Sequence, residues 1–227
     1  MRFSVRTMTV CSLVLLIRKG RKNVSFAFYS NYPRAWVLAY HAYPRRVVMS
    51  SNTRLPSVTL VLGGARSGKS YYAESLLVSF KNPIYLATAE AYHTDDQDGE
   101  MANRIAEHKK RRGPHWRTIE EPINLIGLLN NHASTPVMVD CMTLWLANIM
   151  SAGLIVEKEL DALAKCLKVL NGPLILVSNE VGQGIIPDNS LARSYADSAG
   201  LMNQRLAACA DQLVVMHAGI PQILKEV

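Results

Sequence analysis

Eight consecutive residues in the first third of the chain have the composition and spacing of a phosphate-binding loop. Residues 63–70 read G-G-A-R-S-G-K-S, which fits the pattern G-x-x-x-x-G-K-[ST]. Glycines let backbone N–H groups approach phosphate oxygens, Lys69 can neutralise them, and the Ser70 hydroxyl can bind Mg²⁺. The sequence therefore predicts a nucleoside triphosphate site formed by Gly63, Gly64, Ala65, Arg66, Ser67, Gly68, Lys69 and Ser70.

Asp140 is a candidate metal ligand because it ends the apolar run Val137–Val139, downstream of the loop. A nucleotide-binding protein of this kind needs a carboxylate at such a strand end, to hold Mg²⁺ directly or through water. Asp140 could instead cap the next predicted helix, at 143–150. The two roles are compatible, and the residues alone leave both open.

His108 lies in a segment, 98–112, whose spacing predicts a helix. Met101, Ile105 and His108 share one face of that helix, and four consecutive bases at 109–112 end it. A histidine on such a stripe is usually packed in a core, and a basic run is usually a solvated face. The same groups also suit a polyphosphate or a developing phosphoryl charge. A core role and a catalytic role therefore both stay open.

A polar, glycine-containing segment at 179–187 directly follows another apolar strand. Ligands of open α/β sheets bind where the strands end in this way. The segment is either a substrate loop or a structural turn.

The elements that must position these residues alternate between strands and helices. A parallel sheet with helices on both faces is typical of continuously apolar strands separated by helical segments. We predict one doubly wound α/β domain over 53–227. Its predicted strands are 58–62, 84–89, 137–140, 174–178 and 212–216, and its clearest helices are 70–80 and about 191–210.

Charge separates the front of the chain from this domain. The first 48 residues hold nine Lys and Arg and no acidic residue, which leaves 16 of the 25 basic residues against all 18 acidic ones. The overall charge of +7 therefore comes from the front segment. The charge balance of the remaining residues predicts no nucleic-acid surface on the domain. We expect residues 1–52 to be a basic extension outside the fold. It is either upstream sequence before a true start at Met49 or a targeting segment, and its apolar stretch is too short for stable membrane insertion.

The four cysteines have neither metal-ligand spacing nor a paired framework, which favours a reducing, cytoplasmic setting and no zinc site.

Taken together, six segments resemble the bifunctional adenosylcobinamide kinase/adenosylcobinamide-phosphate guanylyltransferase family. They read G-G-A-R-S-G-K-S at 63–70, E-M-A-N-R-I-A-E-H-K at 100–109, H-W-R-T at 115–118, V-D-C-M-T-L-W-L-A-N at 139–148, N-E-V-G-Q-G-I-I-P at 179–187 and N-Q-R-L-A at 203–207. The resemblance spans 58–220 and implies a RecA-like P-loop sheet, a homotrimer and two successive reactions. Residues 1–48 have no counterpart in it.

The resemblance also assigns roles to individual residues. It implies that His108 carries GMP covalently, which a neutral imidazole can do by nucleophilic attack. It implies that ATP or GTP phosphorylates adenosylcobinamide and that GTP then donates GMP to the adenosylcobinamide phosphate. Arg66 matches the family, either as a phosphate ligand or as a cap of the sheet edge. Further positions implied to meet the nucleotide are Thr88, Ala89, Glu90, Arg111, Arg112 and Glu121.

Two other functions are compatible with the phosphate loop alone. One is a small-molecule kinase that catalyses a single reaction and in which His108 is structural. The other is a RecA-type regulatory ATPase, which would use hydrolysis to change shape.

Overall fold

The computed structural model describes residues 17–19, 23–25, 55–89 and 114–227. The chain divides into two compact units, residues 1–53 and 54–227. In the first unit, β1 (Ile17–Lys19) pairs antiparallel with β2 (Asn23–Ser25). The second unit contains the phosphate loop and the remaining described elements.

A seven-stranded sheet forms the centre of the second unit, with the strand order β5-β4-β6-β7-β3-β8-β9. Six neighbouring strands are parallel, and β9 at one edge runs antiparallel to β8. The strands are β3 (Val58–Gly63), β4 (Ile84–Ala87), β5 (Arg117–Glu120), β6 (Val137–Asp140), β7 (Leu174–Asn179), β8 (Gln212–His217) and β9 (Ile220–Glu226).

Helices pack on both faces of this sheet because its central strands are apolar on both sides. On β3, Leu60 and Leu62 face one core cluster while Val61, between them, faces the other. Helix α1 covers the Val61 face, and the other four helices contribute to the Leu60 face. The helices are α1 (Lys69–Leu77), α2 (Leu125–Asn131), α3 (Met142–Ser151), α4 (Val156–Leu167) and α5 (Ser190–Cys209). The predicted α/β P-loop class, with a mostly parallel sheet and helices on both faces, is confirmed.

Several element boundaries differ from the sequence predictions. The predicted strand 84–89 ends at Ala87, because its neighbour β6 ends at Asp140, the residue that pairs with Ala87. The predicted helix 70–80 covers Lys69–Leu77 and the predicted helix 143–150 covers Met142–Ser151. Strands β5 and β9 were not predicted, because most of their side chains are exposed and their sequences show no continuous apolar run.

No helix within the described ranges is both long and apolar enough to span a bilayer.

The junction of β3 with the phosphate loop generates a stability prediction. A Cβ added at Gly63 would lie 2.7 Å from the backbone oxygen of Met216 on β8, whereas a Cβ at Gly64 meets nothing within 4 Å. Gly63→Ala should therefore lower the free energy of unfolding by about 1–3 kcal/mol through overpacking. Urea denaturation measures this, and Gly64→Ala is the matched control. Equal stability of the two variants would show that the strand end yields to the added methyl group.

Candidate nucleotide site

The carboxyl ends of β3, β7, β6 and β4 lie side by side at one edge of the sheet. Gly63 pairs with Asn179 across β3 and β7, and Asp140 pairs with Val177 across β6 and β7. On the next strand Ala87 pairs with Asp140. Parallel register therefore gathers the phosphate loop, the predicted metal ligand and the residues after β4 at a single edge, which is where open α/β sheets bind ligands.

The phosphate loop runs from the end of β3 into the first turn of α1. Gly68 is the N-cap of α1 with φ of 96°, and no side chain in the described part of the chain caps that helix. Its first-turn N–H groups are therefore available to an anion, and the helix dipole favours negative charge there. Arg66 also has a positive φ, 56°, so the loop curls tightly between strand and helix.

Lys69 is the most buried cation among the described residues of the site, with 7 % of its surface exposed. Its Nζ donates a hydrogen bond to the carbonyl oxygen of Gly64 at 2.7 Å, so the side chain folds back over the loop. Burial lowers the pKa of this ammonium from its ordinary value, while the nearby Asp140 and Cys141 act in the opposite direction. A desolvated cation held against the loop can interact strongly with phosphate oxygens that replace the carbonyl.

The turn between β8 and β9 packs against the phosphate loop. The Gly219 N–H donates to the Ser67 carbonyl oxygen at 3.0 Å, and a Cβ on Gly68 would lie 3.3 Å from the Gly219 Cα. The sequence analysis missed this contact, because nothing in the local sequence indicates that a turn far along the chain packs on the loop.

Asp140 ends β6, and its Oδ2 accepts a hydrogen bond from the Tyr85 hydroxyl at 2.7 Å. Asp140 does not cap the following helix: the N-cap of α3 is Cys141, and no described side chain makes a capping bond there. The alternative role of Asp140 as a helix cap was therefore wrong. Tyr85 holds the Asp140 carboxylate at this edge of the sheet, where its negative charge acts to raise the pKa of Lys69.

The oxygen donors of Asp140 and Ser70 fit a magnesium ion. Mg²⁺ prefers carboxylate, hydroxyl and phosphate oxygens, and proteins usually hold it through one or two carboxylates together with substrate phosphates. Ser70 stands in the first turn of α1, half-buried. Among the described residues, no group of three or more His, Cys, Asp or Glu side chains forms a metal cluster.

Thr88 ties the end of β4 to the end of β6. Its hydroxyl donates to the Cys141 carbonyl oxygen at 2.7 Å and accepts from the Cys141 N–H at 2.9 Å, and the residue is fully buried. Asn148 on α3 then donates to the Thr88 carbonyl oxygen at 2.8 Å. The Thr88 side chain is therefore engaged within the protein, and the contact of Thr88 and Ala89 with a nucleotide stays a prediction.

Asn179, at the end of β7, is held by both neighbouring helices. The side-chain Nδ2 of Asn179 donates to Thr143 Oγ1 on α3 at 2.8 Å. The backbone carbonyl oxygen of Asn179 accepts from Asn203 Nδ2 on α5 at 3.1 Å. Asn203 also accepts from the Ser178 hydroxyl at 2.7 Å. These bonds fix the strand end that lies directly beside the phosphate loop.

The structure describes only some of the remaining predicted site residues. Glu121 follows β5, and its Oε1 accepts from the N–H groups of Ile123 and Asn124 at 3.1 and 2.7 Å, which stabilises the turn into α2. Its contact with a nucleotide stays a prediction. Four predicted residues lie outside the described ranges: Glu90, His108, Arg111 and Arg112.

Tyr85 was the other functional candidate that the sequence analysis missed. It reads as one apolar residue in a buried strand, and only the register of β4 against β6 brings its hydroxyl to Asp140. Side chains at i and i+2 of a strand share a face, so Tyr85 points to the same side as Ala87, the pairing partner of Asp140.

Comparison with known proteins places the chain among enzymes of one pathway. Residues 59–224 match the family model described as cobinamide kinase / cobinamide phosphate guanyltransferase. The bifunctional adenosylcobalamin biosynthesis protein CobP of Pseudomonas aeruginosa is 44 % identical over 171 residues, which cover 73 % of this chain and 96 % of that protein. The bifunctional adenosylcobalamin biosynthesis protein CobU of Salmonella typhimurium is 36 % identical over 178 residues, which cover 71 % of this chain and 96 % of that protein.

Among solved structures, the P4 protein from bacteriophage phi6 in complex with ADP is similar, with a TM-score of 0.35 and 14 % identity over 74 % of this chain and 53 % of that one. A similarity of that size carries no functional argument.

The hydrogen bonds of Thr88 should stabilise the edge of the sheet at which β4 and β6 end. Thr88→Val keeps the volume of the side chain but leaves the buried Cys141 N–H without its partner, while the Cys141 carbonyl oxygen keeps its bond from the Trp145 N–H. An unsatisfied buried group of this kind costs about 1–3 kcal/mol, so the urea midpoint should fall accordingly. Thr88→Ser retains the hydroxyl and is the control. A valine variant as stable as the serine variant would mean that the edge does not depend on this bond.

Proposed function

This chain belongs to the cobinamide kinase/cobinamide phosphate guanylyltransferase family, and we propose that it catalyses both reactions of that family in the assembly of the cobalamin nucleotide loop. The first reaction phosphorylates adenosylcobinamide with ATP or GTP. The second transfers GMP from GTP to the phosphorylated product and gives adenosylcobinamide-GDP. The observation that carries the proposal is the full phosphate loop at the carboxyl edge of a parallel sheet, in a chain that matches the family model over 59–224.

In the kinase reaction the protein supplies positioning and charge. The hydroxyl oxygen of the aminopropanol arm attacks the γ-phosphorus and releases its proton to water, the bond to the β,γ-bridging oxygen breaks, and the nucleoside diphosphate leaves. The loop N–H groups hold the phosphates while Lys69, already desolvated, stabilises the charge that develops on the transferred group. Tyr85 keeps the Asp140 carboxylate oriented through its hydrogen bond.

We propose that Ser70 and Asp140 would hold Mg²⁺, directly or through water. When bound, the ion would neutralise phosphate charge. The donor chemistry of the two side chains and the effect of Asp140 on Lys69 support this assignment.

In the guanylyl transfer we assign the nucleophile to His108. An imidazole nitrogen attacks the α-phosphorus of GTP and pyrophosphate leaves, so a P–N bond replaces a P–O bond. A phosphate oxygen of adenosylcobinamide phosphate then attacks the same phosphorus and releases the histidine. The segment E-M-A-N-R-I-A-E-H at 100–108 supports the assignment. Glu90, Arg111, Arg112 and Glu121 are proposed to meet the nucleotide.

The assembly and setting are also proposals. We infer a homotrimer, which sedimentation equilibrium tests directly. We infer a cytoplasmic enzyme, since Cys141, Cys166 and Cys209 are free thiols, and cell fractionation checks this.

We further propose that residues 1–52 lie outside the catalytic unit, so a chain that begins at Met49 should retain both activities. Loss of folding in that shortened chain would refute the last proposal.

Lys69→Met should separate catalysis from folding. Methionine keeps much of the side-chain length but removes the charge, so the kinase rate should fall by roughly 10²–10³, as when a preorganised donor is removed from a transition state. The melting temperature should change little. Lys81→Met, at an exposed lysine after α1, is the matched control and should keep the wild-type rate. A near wild-type kinase rate for Lys69→Met would exclude the loop as the site of phosphoryl transfer.

His108→Asn should separate the two reactions. With α-³²P-labelled GTP the wild-type protein should acquire an acid-labile, base-stable label, which is typical of a phosphoramidate, and the variant should acquire none. The kinase rate should remain substantial, because no step of phosphoryl transfer needs an imidazole nucleophile. His115→Asn is the control and should keep the label.

Two results would contradict this assignment. Loss of both reactions together with a falling melting temperature would indicate a core histidine. A label that depends on His115 would identify a different nucleophile.

A further inference from the structure

The segment after β7 begins beside the phosphate loop and presents apolar side chains to solvent. Ile185 is 98 % exposed and Ile186 is 78 % exposed, and Leu191, shortly after them, is also exposed. Single exposed apolar residues are ordinary on protein surfaces, but two adjacent isoleucines exposed to this extent, in a loop that begins at a ligand-binding edge, mark an interaction site. We call residues 180–187 the isoleucine loop.

Hydrogen bonds fix both ends of the isoleucine loop. At its start, the Glu180 N–H donates to the Gly63 carbonyl oxygen at 3.1 Å, which joins the loop to the first residue of the phosphate loop. At its end, Arg193 Nη1 donates to the carbonyl oxygens of Pro187 and Asp188 at 2.9 and 2.6 Å. The exposed isoleucines are therefore held between fixed points, one of which belongs to the nucleotide site.

The interior of the loop also leaves backbone open to a ligand. A Cβ on Gly184 would meet nothing within 4 Å, and the nearest atom to one on Gly182 is Glu180 Oε1 at 3.8 Å. Backbone N–H and carbonyl groups at such glycines can approach a ligand closely. The loop thus combines apolar side chains, accessible peptide groups and the carboxylate of Glu180.

We propose that the isoleucine loop binds the macrocycle of the phosphoryl acceptor, so that the acceptor hydroxyl reaches the γ-phosphate. The proposal rests on the function proposed above. A corrin carries methyl groups and amide arms on its rim and a net positive charge, which match the isoleucines, the open peptide groups and Glu180 respectively. Its attacking hydroxyl must lie beside the phosphate loop, and the Glu180–Gly63 bond places the loop there.

A cavity at the other ends of the strands does not suit the phosphoryl acceptor. It has a volume of about 300 Å³ and is lined by residues that include Ile84, Arg117 and Thr135, which start or precede strands β4, β5 and β6. These are the amino ends of the parallel strands, at the opposite edge from the phosphate loop. An acceptor bound there could not reach the γ-phosphate, and the volume lies at the lower limit for ligand pockets.

The test is the double variant Ile185→Ser/Ile186→Ser, assayed for phosphorylation of adenosylcobinamide with each substrate varied in turn. The KM for adenosylcobinamide should rise at least tenfold, because apolar contacts made equally in ground and transition states affect KM and leave kcat unchanged. The KM for ATP and the labelling of the protein by α-³²P-labelled GTP should stay as in the wild type.

Ile155→Ser is the matched control, since Ile155 is also exposed, at 53 %, and serine is a favoured residue at its helix N-cap position. Its kinetic constants should equal those of the wild type. An unchanged KM for adenosylcobinamide in the double variant would overturn the proposal. So would a change of sedimentation coefficient with parallel loss of both activities, since the isoleucines would then contact another subunit. A wild-type protein that does not phosphorylate adenosylcobinamide would instead refute the proposed function, and the inference with it.

Discussion

The parallel register of β3, β7 and β6 is the constraint on which the site depends. Because Gly63 pairs with Asn179 and Asp140 pairs with Val177, the phosphate loop, the polar end of β7 and the carboxylate of β6 reach one edge together. A slip of one residue would turn each of these side chains to the opposite face of the sheet. The same slip would exchange the side chains of the two close-packed core clusters, so the core and the site are specified by the same contacts.

Polar groups at this edge are secured by one another where the apolar core ends. Thr88 bonds both backbone groups of Cys141, and Asn179 is held by Thr143 and Asn203. Satisfied polar networks of this kind fix a single arrangement, because any alternative leaves buried groups unpaired. Lys69, at the same edge, is buried before any nucleotide binds, so its charge need not lose its water during the reaction.

The parts of this structure that could be predicted are those with local signals. The phosphate loop, the buried strands and the placement of Asp140 at a strand end follow from spacing and continuous apolar runs, and the family follows from ordered motifs. Tyr85 and Gly219 could not be identified, because their contacts with Asp140 and Ser67 depend on long-range register and on the packing of a distant turn. The exposed edge strands β5 and β9 carry no apolar pattern and take their conformation from the neighbouring strand. The roles of His108, Arg111 and Arg112 come from the family resemblance and stay predictions.

One measurement addresses the claim that a single chain carries out both transfers. Purified protein is first incubated with adenosylcobinamide and γ-³³P-labelled ATP alone, α-³²P-labelled GTP is then added, and the corrin products are separated. The account predicts one product, adenosylcobinamide-GDP, that carries both labels, since its two phosphorus atoms come from the γ-position of ATP and the α-position of GTP. A corrin monophosphate with only ³³P would reduce the protein to a kinase of one reaction, and ³³P found only as inorganic phosphate would contradict the account altogether.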